Sequence, residues 1–243
     1  MSERFLIRFN LQNEATEETR REYLDEFERM QSERIDRLKN TYHGEINILR
    51  GKRILFLGDS ITSDNLGYRM SVSRAAELLA TDGSVSGATT DSLLPLAREK
   101  IGEARYDLIS IMLGANDSVT LVKEGRNQVS LDEYVANMDK ILGCAKESGA
   151  SVLLLGITPV HEERFQKSFF GQNKSQTNQT VARYNHRLEE LADKHGVPLM
   201  NHLWLTEDLF LEHDGIHLTP SGQEHLSEAW LIAASKCMKE KEE

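Results

Sequence analysis

Residues 53–62 read Arg-Ile-Leu-Phe-Leu-Gly-Asp-Ser-Ile-Thr, and this stretch decides the fold. Ile54, Leu55, Phe56 and Leu57 form an apolar run without polar alternation, the pattern of a strand buried on both faces of a parallel sheet. Gly58 and Ser60 then turn the chain toward a helix. Apolar runs recur at 106–113, before Gly114-Ala115-Asn116-Asp117, and at 151–157, before Thr158-Pro159. Helical patterns are predicted near 66–81, 91–102, 131–148, 178–195 and 221–238, with short strands at 85–86 and 198–201. Strands alternating with helices of this length imply βαβ crossovers and a parallel sheet covered on both faces.

Outside that core, residues 4–10 (Arg-Phe-Leu-Ile-Arg-Phe-Asn) are expected to form a short strand. Residues 14–39 are dense in Glu and Arg, with Leu24, Phe27, Gln31, Ile35 and Leu38 near helical spacing. They predict an amphipathic helix laid on the domain or on a second copy of the chain. The expected organisation is a charged helical extension at 1–50 ahead of one domain at 51–243. Residues 160–178 are the longest stretch without periodicity and are expected to be a substrate-covering loop.

The 243 residues suffice for one sizeable core, and a formal net charge of −10 disfavours nucleic acid and anionic membrane as partners. The chain opens Met-Ser-Glu-Arg-Phe, without a signal pattern, and no apolar run reaches membrane-spanning length. Cys144 and Cys237 lie far apart without metal-type spacing, so reduced thiols and a cytoplasmic location are expected.

Ser60, Gly87, Asn116 and Thr158 each follow a predicted strand, and ligands of open parallel sheets collect at the strands' carboxyl ends. A serine at a strand-to-helix turn serves either as a helix cap or as a nucleophile whose own amide steadies an oxyanion. His161, His202, His213, His217 and His225 all compete to be its base. Asp214 singles out His217, because a three-residue turn can set the carboxylate against the imidazole. Asn116 supplies an uncharged amide donor, and Gly87 an N–H that a ligand can approach closely. Read separately, these are a turn aspartate, a loop asparagine and a turn glycine. Together they are the parts for nucleophilic acyl transfer.

On these motifs the chain resembles the SGNH hydrolase family, also called GDSL esterases/lipases, over about residues 53–235. The family's four name residues correspond to Ser60, Gly87, Asn116 and His217. The resemblance implies a flavodoxin-like three-layer α/β/α fold and a Ser60–His217–Asp214 triad. It also implies an oxyanion hole built from the Ser60 and Gly87 N–H groups and the Asn116 side chain, with no metal or organic cofactor. Two features depart from the family: the extension at 1–50, and a loosely conforming Gly87 block, Ser86-Gly87-Ala88-Thr89-Thr90. The Gly-x-Ser-x-Gly elbow of α/β-hydrolases is absent.

The expected substrate is a soluble short-acyl carboxylic ester, with O-acetylated carbohydrates as one class. Phe165, Phe169 and Phe170, set among Gln166, Gln172, Asn173 and Gln176, are candidates for the substrate loop; the competing reading makes them anchors of that loop on the core. A lysophospholipase- or thioesterase-type acylhydrolase is the alternative activity. A phosphoesterase with metal at Asp59, Asn116, Asp117 and His217, and a non-catalytic interaction protein, are the alternatives of other classes. Self-association through the N-terminal helix is a further expectation.

Overall fold

The apolar run becomes β1 (Arg53–Gly58), one of the inner strands of a five-stranded parallel sheet, in a computed structural model that describes residues 17–201 and 209–242. The segment 4–10 and His202 lie outside the described residues. The other strands are β2 (Leu79–Ser84), β3 (Leu108–Met112), β6 (Ser151–Leu155) and β8 (Leu199–Met200), in the order β2-β1-β3-β6-β8. Counted along the chain this is 2-1-3-4-5, the flavodoxin-like order, whose switch point falls between β1 and β3. Their register is direct, with Ile54 beside Leu108 and Gly58 beside Met112.

Helices cover both faces, giving three α/β/α layers. Leu55, Leu57, Ile109, Ile111 and Leu154 face α5 (Thr90–Glu103), α6 (Leu131–Glu147) and α8 (Asn178–His195), where they meet Ala97, Met138, Ile141 and Leu188. Ile54, Phe56, Leu108, Leu153 and Leu155 point the other way. They pack with side chains of α1 (Glu17–Thr41), α2 (His43–Leu49), α4 (Tyr68–Ala75) and α9 (Pro220–Glu242). This second layer holds Trp230, fully buried and donating to the Ser110 hydroxyl at 3.0 Å. It also takes Ile35, Leu38, Ile46 and Leu49 from the segment before β1.

Local sequence sets the helix ends. Ser130 and Glu133 form a reciprocal capping box on α6. Thr177 caps α8, which stops at Gly196 in the left-handed region (φ 59°). The structure corrects the helix expected at 66–81: α4 ends at Ala75, Glu77 takes a positive φ of 51°, and 79–84 is strand. The strand expected at 85–86 is therefore displaced. β2 is an edge strand, largely exposed, so it lacks the apolar run that marks the inner strands.

The segment 160–178 is also more ordered than a loop. It contains α7 (Glu162–Lys167), a 3₁₀ turn (Phe169–Gly171) and β7 (Lys174–Ser175). β7 joins β4 (Thr120–Leu121) and β5 (Arg126–Asn127) in a small antiparallel sheet that the sequence did not announce.

Candidate active site

Ser60 opens α3 (Ser60–Ser63), directly after β1. Asp59 caps that helix by accepting from the Ile61 amide at 3.0 Å, and this fixes the turn on which Ser60 stands. Only 9% of Ser60 is exposed. Its Oγ lies 2.8 Å from His217 Nε2, and His217 Nδ1 lies 2.6 Å from Asp214 Oδ2. The other Asp214 oxygen accepts from the amides of Ile216 and His217, each at 3.0 Å.

The carboxylate is therefore bound on both oxygens. Burial works to raise its pKa, but the hydrogen bond and charge of His217 and the two amides outweigh it and hold Asp214 below the usual carboxylate value. An ionised Asp214 only accepts, so Nδ1 carries the ring proton, and in the neutral ring the Nε2 lone pair then faces the Ser60 hydroxyl. That is the state a general base needs.

A short hairpin-like turn makes this geometry. Leu211 bridges Leu218, Glu212 N donates to the His217 carbonyl at 2.8 Å, and Gly215 adopts φ 78° between them. A Cβ on Gly215 would lie 2.5 Å from the His161 carbonyl oxygen and 2.7 Å from Phe165 N, so the turn fits against α7 only with glycine there. Of the competing histidines, His161 caps α7 through Nδ1, His225 pairs with Glu228, and His213 is exposed. Among the described histidines, His217 is the one joined to Ser60.

Gly87 is exposed, with φ 78° and open space where a Cβ would stand. Asn116 reaches the same segment: its Nδ2 donates to the Ala88 carbonyl at 3.0 Å. One amide hydrogen thus fixes the side chain and leaves the second for a ligand. The Gly87 segment also tracks β1, since Val85 N donates to Gly58 O at 3.0 Å.

Asp117 fastens the two loops together, a role the sequence reading missed. Fully buried, it accepts from Thr90 N at 3.0 and 3.2 Å and from Thr90 Oγ1 at 2.5 Å, across 27 residues. Such a pairing leaves no local sequence signal. Burial pushes Asp117 up to about 6 despite these donors. Burial likewise takes Asp59 to about 6, opposed by the Ile61 amide and His217 and reinforced by Asp117. Both carboxylates are turned toward helix-start amides.

The phenylalanines separate. Phe165 is 1% exposed and belongs to the core, so it anchors its segment and does not line a site. Phe170 packs on the His217 ring with centroids 5.7 Å apart, and Phe169, 68% exposed, meets Phe170 edge-on at 5.9 Å. The two rings form an aromatic wall beside His217.

Comparison with known proteins finds a matching family and structures of similar fold. The model of the GDSL-like Lipase/Acylhydrolase family matches residues 56–225. An arylesterase from Vibrio mimicus is 26% identical over 196 residues, which cover 73% of this chain and 85% of that protein. Among solved structures, a lipase/acylhydrolase from Enterococcus faecalis superposes with a TM-score of 0.65 at 18% identity, covering 76% of this chain and 96% of the other. A catalytic mutant of an acetylxylan esterase from Geobacillus stearothermophilus gives 0.60 at 20% identity, covering 76% and 94%. These two likenesses show the fold.

Proposed function

The chain belongs to the GDSL-like lipase/acylhydrolase family, and from that membership we propose that it hydrolyses soluble, short-acyl carboxylic esters through an acyl-Ser60 intermediate. The observation that supports this reading is the buried relay from Asp214 to His217 to Ser60, at 2.6 and 2.8 Å. As Ser60 Oγ bonds to the ester carbonyl carbon, its proton passes to His217 Nε2 and the carbonyl electron pair moves onto oxygen. The N–H groups of Ser60 and Gly87 and the Asn116 amide receive that oxyanion. Collapse breaks the bond to the alcohol oxygen, which takes the proton from His217. Water then repeats the sequence on the acyl-enzyme and releases the acid.

Asp214 keeps the Nδ1 proton throughout and stabilises the imidazolium while it lasts. The wall of Phe170 and Phe169 stands beside His217, where the alcohol departs, and offers it a flat apolar surface. An aryl alcohol or the apolar face of an acetylated sugar suits that surface. The name of the arylesterase relative accords with the first of these.

A panel of p-nitrophenyl acetate, butyrate and decanoate tests the acyl preference. The expected kcat/KM falls with chain length. A rise toward decanoate would replace this reading with a long-chain acylhydrolase.

A further inference from the structure

The stretch that matches the family begins at residue 56, yet a side chain from well before it reaches both arms of the catalytic pair. Arg34, on α1, is 2% exposed. Its Nη1 donates to the Leu66 carbonyl at 2.5 Å and to the Ser71 hydroxyl at 3.1 Å, and its Nη2 to the Pro220 carbonyl at 2.7 Å. Leu66 lies in the turn that follows α3, the helix Ser60 opens. Pro220 begins α9, three residues after His217. A single guanidinium thus holds one carbonyl from the serine arm and one from the histidine arm. Its planar fork reaches them from two separate nitrogens, whereas a lysine would have to reach both from one.

Neighbouring contacts keep α1 in place. Gln31 donates to the Asn65 carbonyl at 3.2 Å and accepts from Arg74 at 2.6 Å. Arg37 binds both oxygens of Glu224 on α9, at 2.6 and 2.9 Å. From the α9 side, Gln223 donates to Asp64 at 2.9 Å and accepts from Tyr68 N at 2.9 Å. The serine arm is therefore clasped between α1 and α9.

We infer that Arg34 is a positioning residue for the hydrolysis at Ser60, and that the segment before the family core is a working part of the catalytic unit. Arg34 touches neither Ser60 nor His217. It acts by fixing the two backbone arms whose side chains must meet at 2.8 Å. The inference rests on the acyl-Ser60 reading.

The test uses the full chain with Arg34→Met, Arg34→Lys and Arg34→Ala, read by p-nitrophenyl acetate kinetics, fluorophosphonate labelling and thermal unfolding. Misplacement of reacting groups by about an ångström can cost on the order of a hundredfold in rate. Folded Arg34→Met is therefore expected to lose about tenfold or more in kcat and in labelling rate, with KM changed less than about twofold. Arg34→Lys is expected to recover only part of the loss. Guanidinium ion at non-denaturing concentration is expected to raise kcat of Arg34→Ala and to do nothing for Ser60→Ala.

Native kcat in folded Arg34→Met would overturn the inference. So would absence of guanidinium rescue, or failure of all three variants to fold, which would make Arg34 a support of the fold alone. Failure of the wild-type chain to label would instead sink the acyl-Ser60 reading on which the inference rests.

Discussion

Asn116 and Asp117 are adjacent in sequence and divide the work of one loop. Asn116 is held by the Ala88 carbonyl with one amide hydrogen still to give. Removing such a donor from an oxyanion site typically lowers kcat by about 10²–10³. Asn116→Ala is expected to fall in that range with p-nitrophenyl acetate, and an unchanged kcat would take Asn116 out of the hole. Asp117 acts on the backbone of Thr90, and its effect appears in stability. Its folded pKa of about 6 lies above the ordinary 3.8, so the folded chain binds this proton before the unfolded one. The contribution is complete below about pH 4 and is lost as pH rises through about 6. Unfolding temperatures at pH 5 and pH 7 are thus expected to differ less in Asp117→Asn than in the wild type. Equal differences in the two proteins would contradict the shift.

Among the elements, the turn at 211–218 and its support on α7 decide how His217 meets Ser60. Gly215 combines a positive φ with close approach to the backbone of His161 and Phe165. Gly215→Ala is expected to destabilise the fold by about 1–3 kcal/mol and to lower kcat by disturbing Asp214 and His217. Denaturant unfolding and kcat measured on one preparation would check both, and a neutral variant would show that the turn can give. The inner strands and α8 were legible in the sequence because each shows a sustained pattern: four consecutive apolar residues in β1, and a capped amphipathic run ending at Gly196. β2 was not, since an exposed edge strand carries no apolar signature and its Leu79 and Ala80 continue the helical pattern before them. β4, β5 and β7 are two residues each, too short for any period. The residues that meet at Ser60 were legible where motifs are contiguous. Asp117 to Thr90 and Arg34 to Pro220 were hidden, because pairings across 27 and 186 residues exist only in three dimensions.

For the molecule as a whole, the same sheet that carries Ser60 just past the end of β1 needs helices on its second face, and α1 and α2 supply part of that cover. Leu49 is fully buried there with Ile46 and Leu38. Leu49→Ala is expected to cost about 2–5 kcal/mol, as for buried leucines generally. Chemical denaturation would measure it, and a loss below about 0.5 kcal/mol, the level of ordinary surface substitutions, would mean that the segment lies loosely on the domain. Core, clasp and turn all converge on Ser60, so its reactivity toward an acylating-type reagent tests the proposed mechanism directly. Intact-mass spectrometry after fluorophosphonate treatment should find one adduct on the native chain and none on Ser60→Ala. Well-folded native protein without an adduct, or an adduct that persists in Ser60→Ala, would contradict the assignment of Ser60 as the nucleophile.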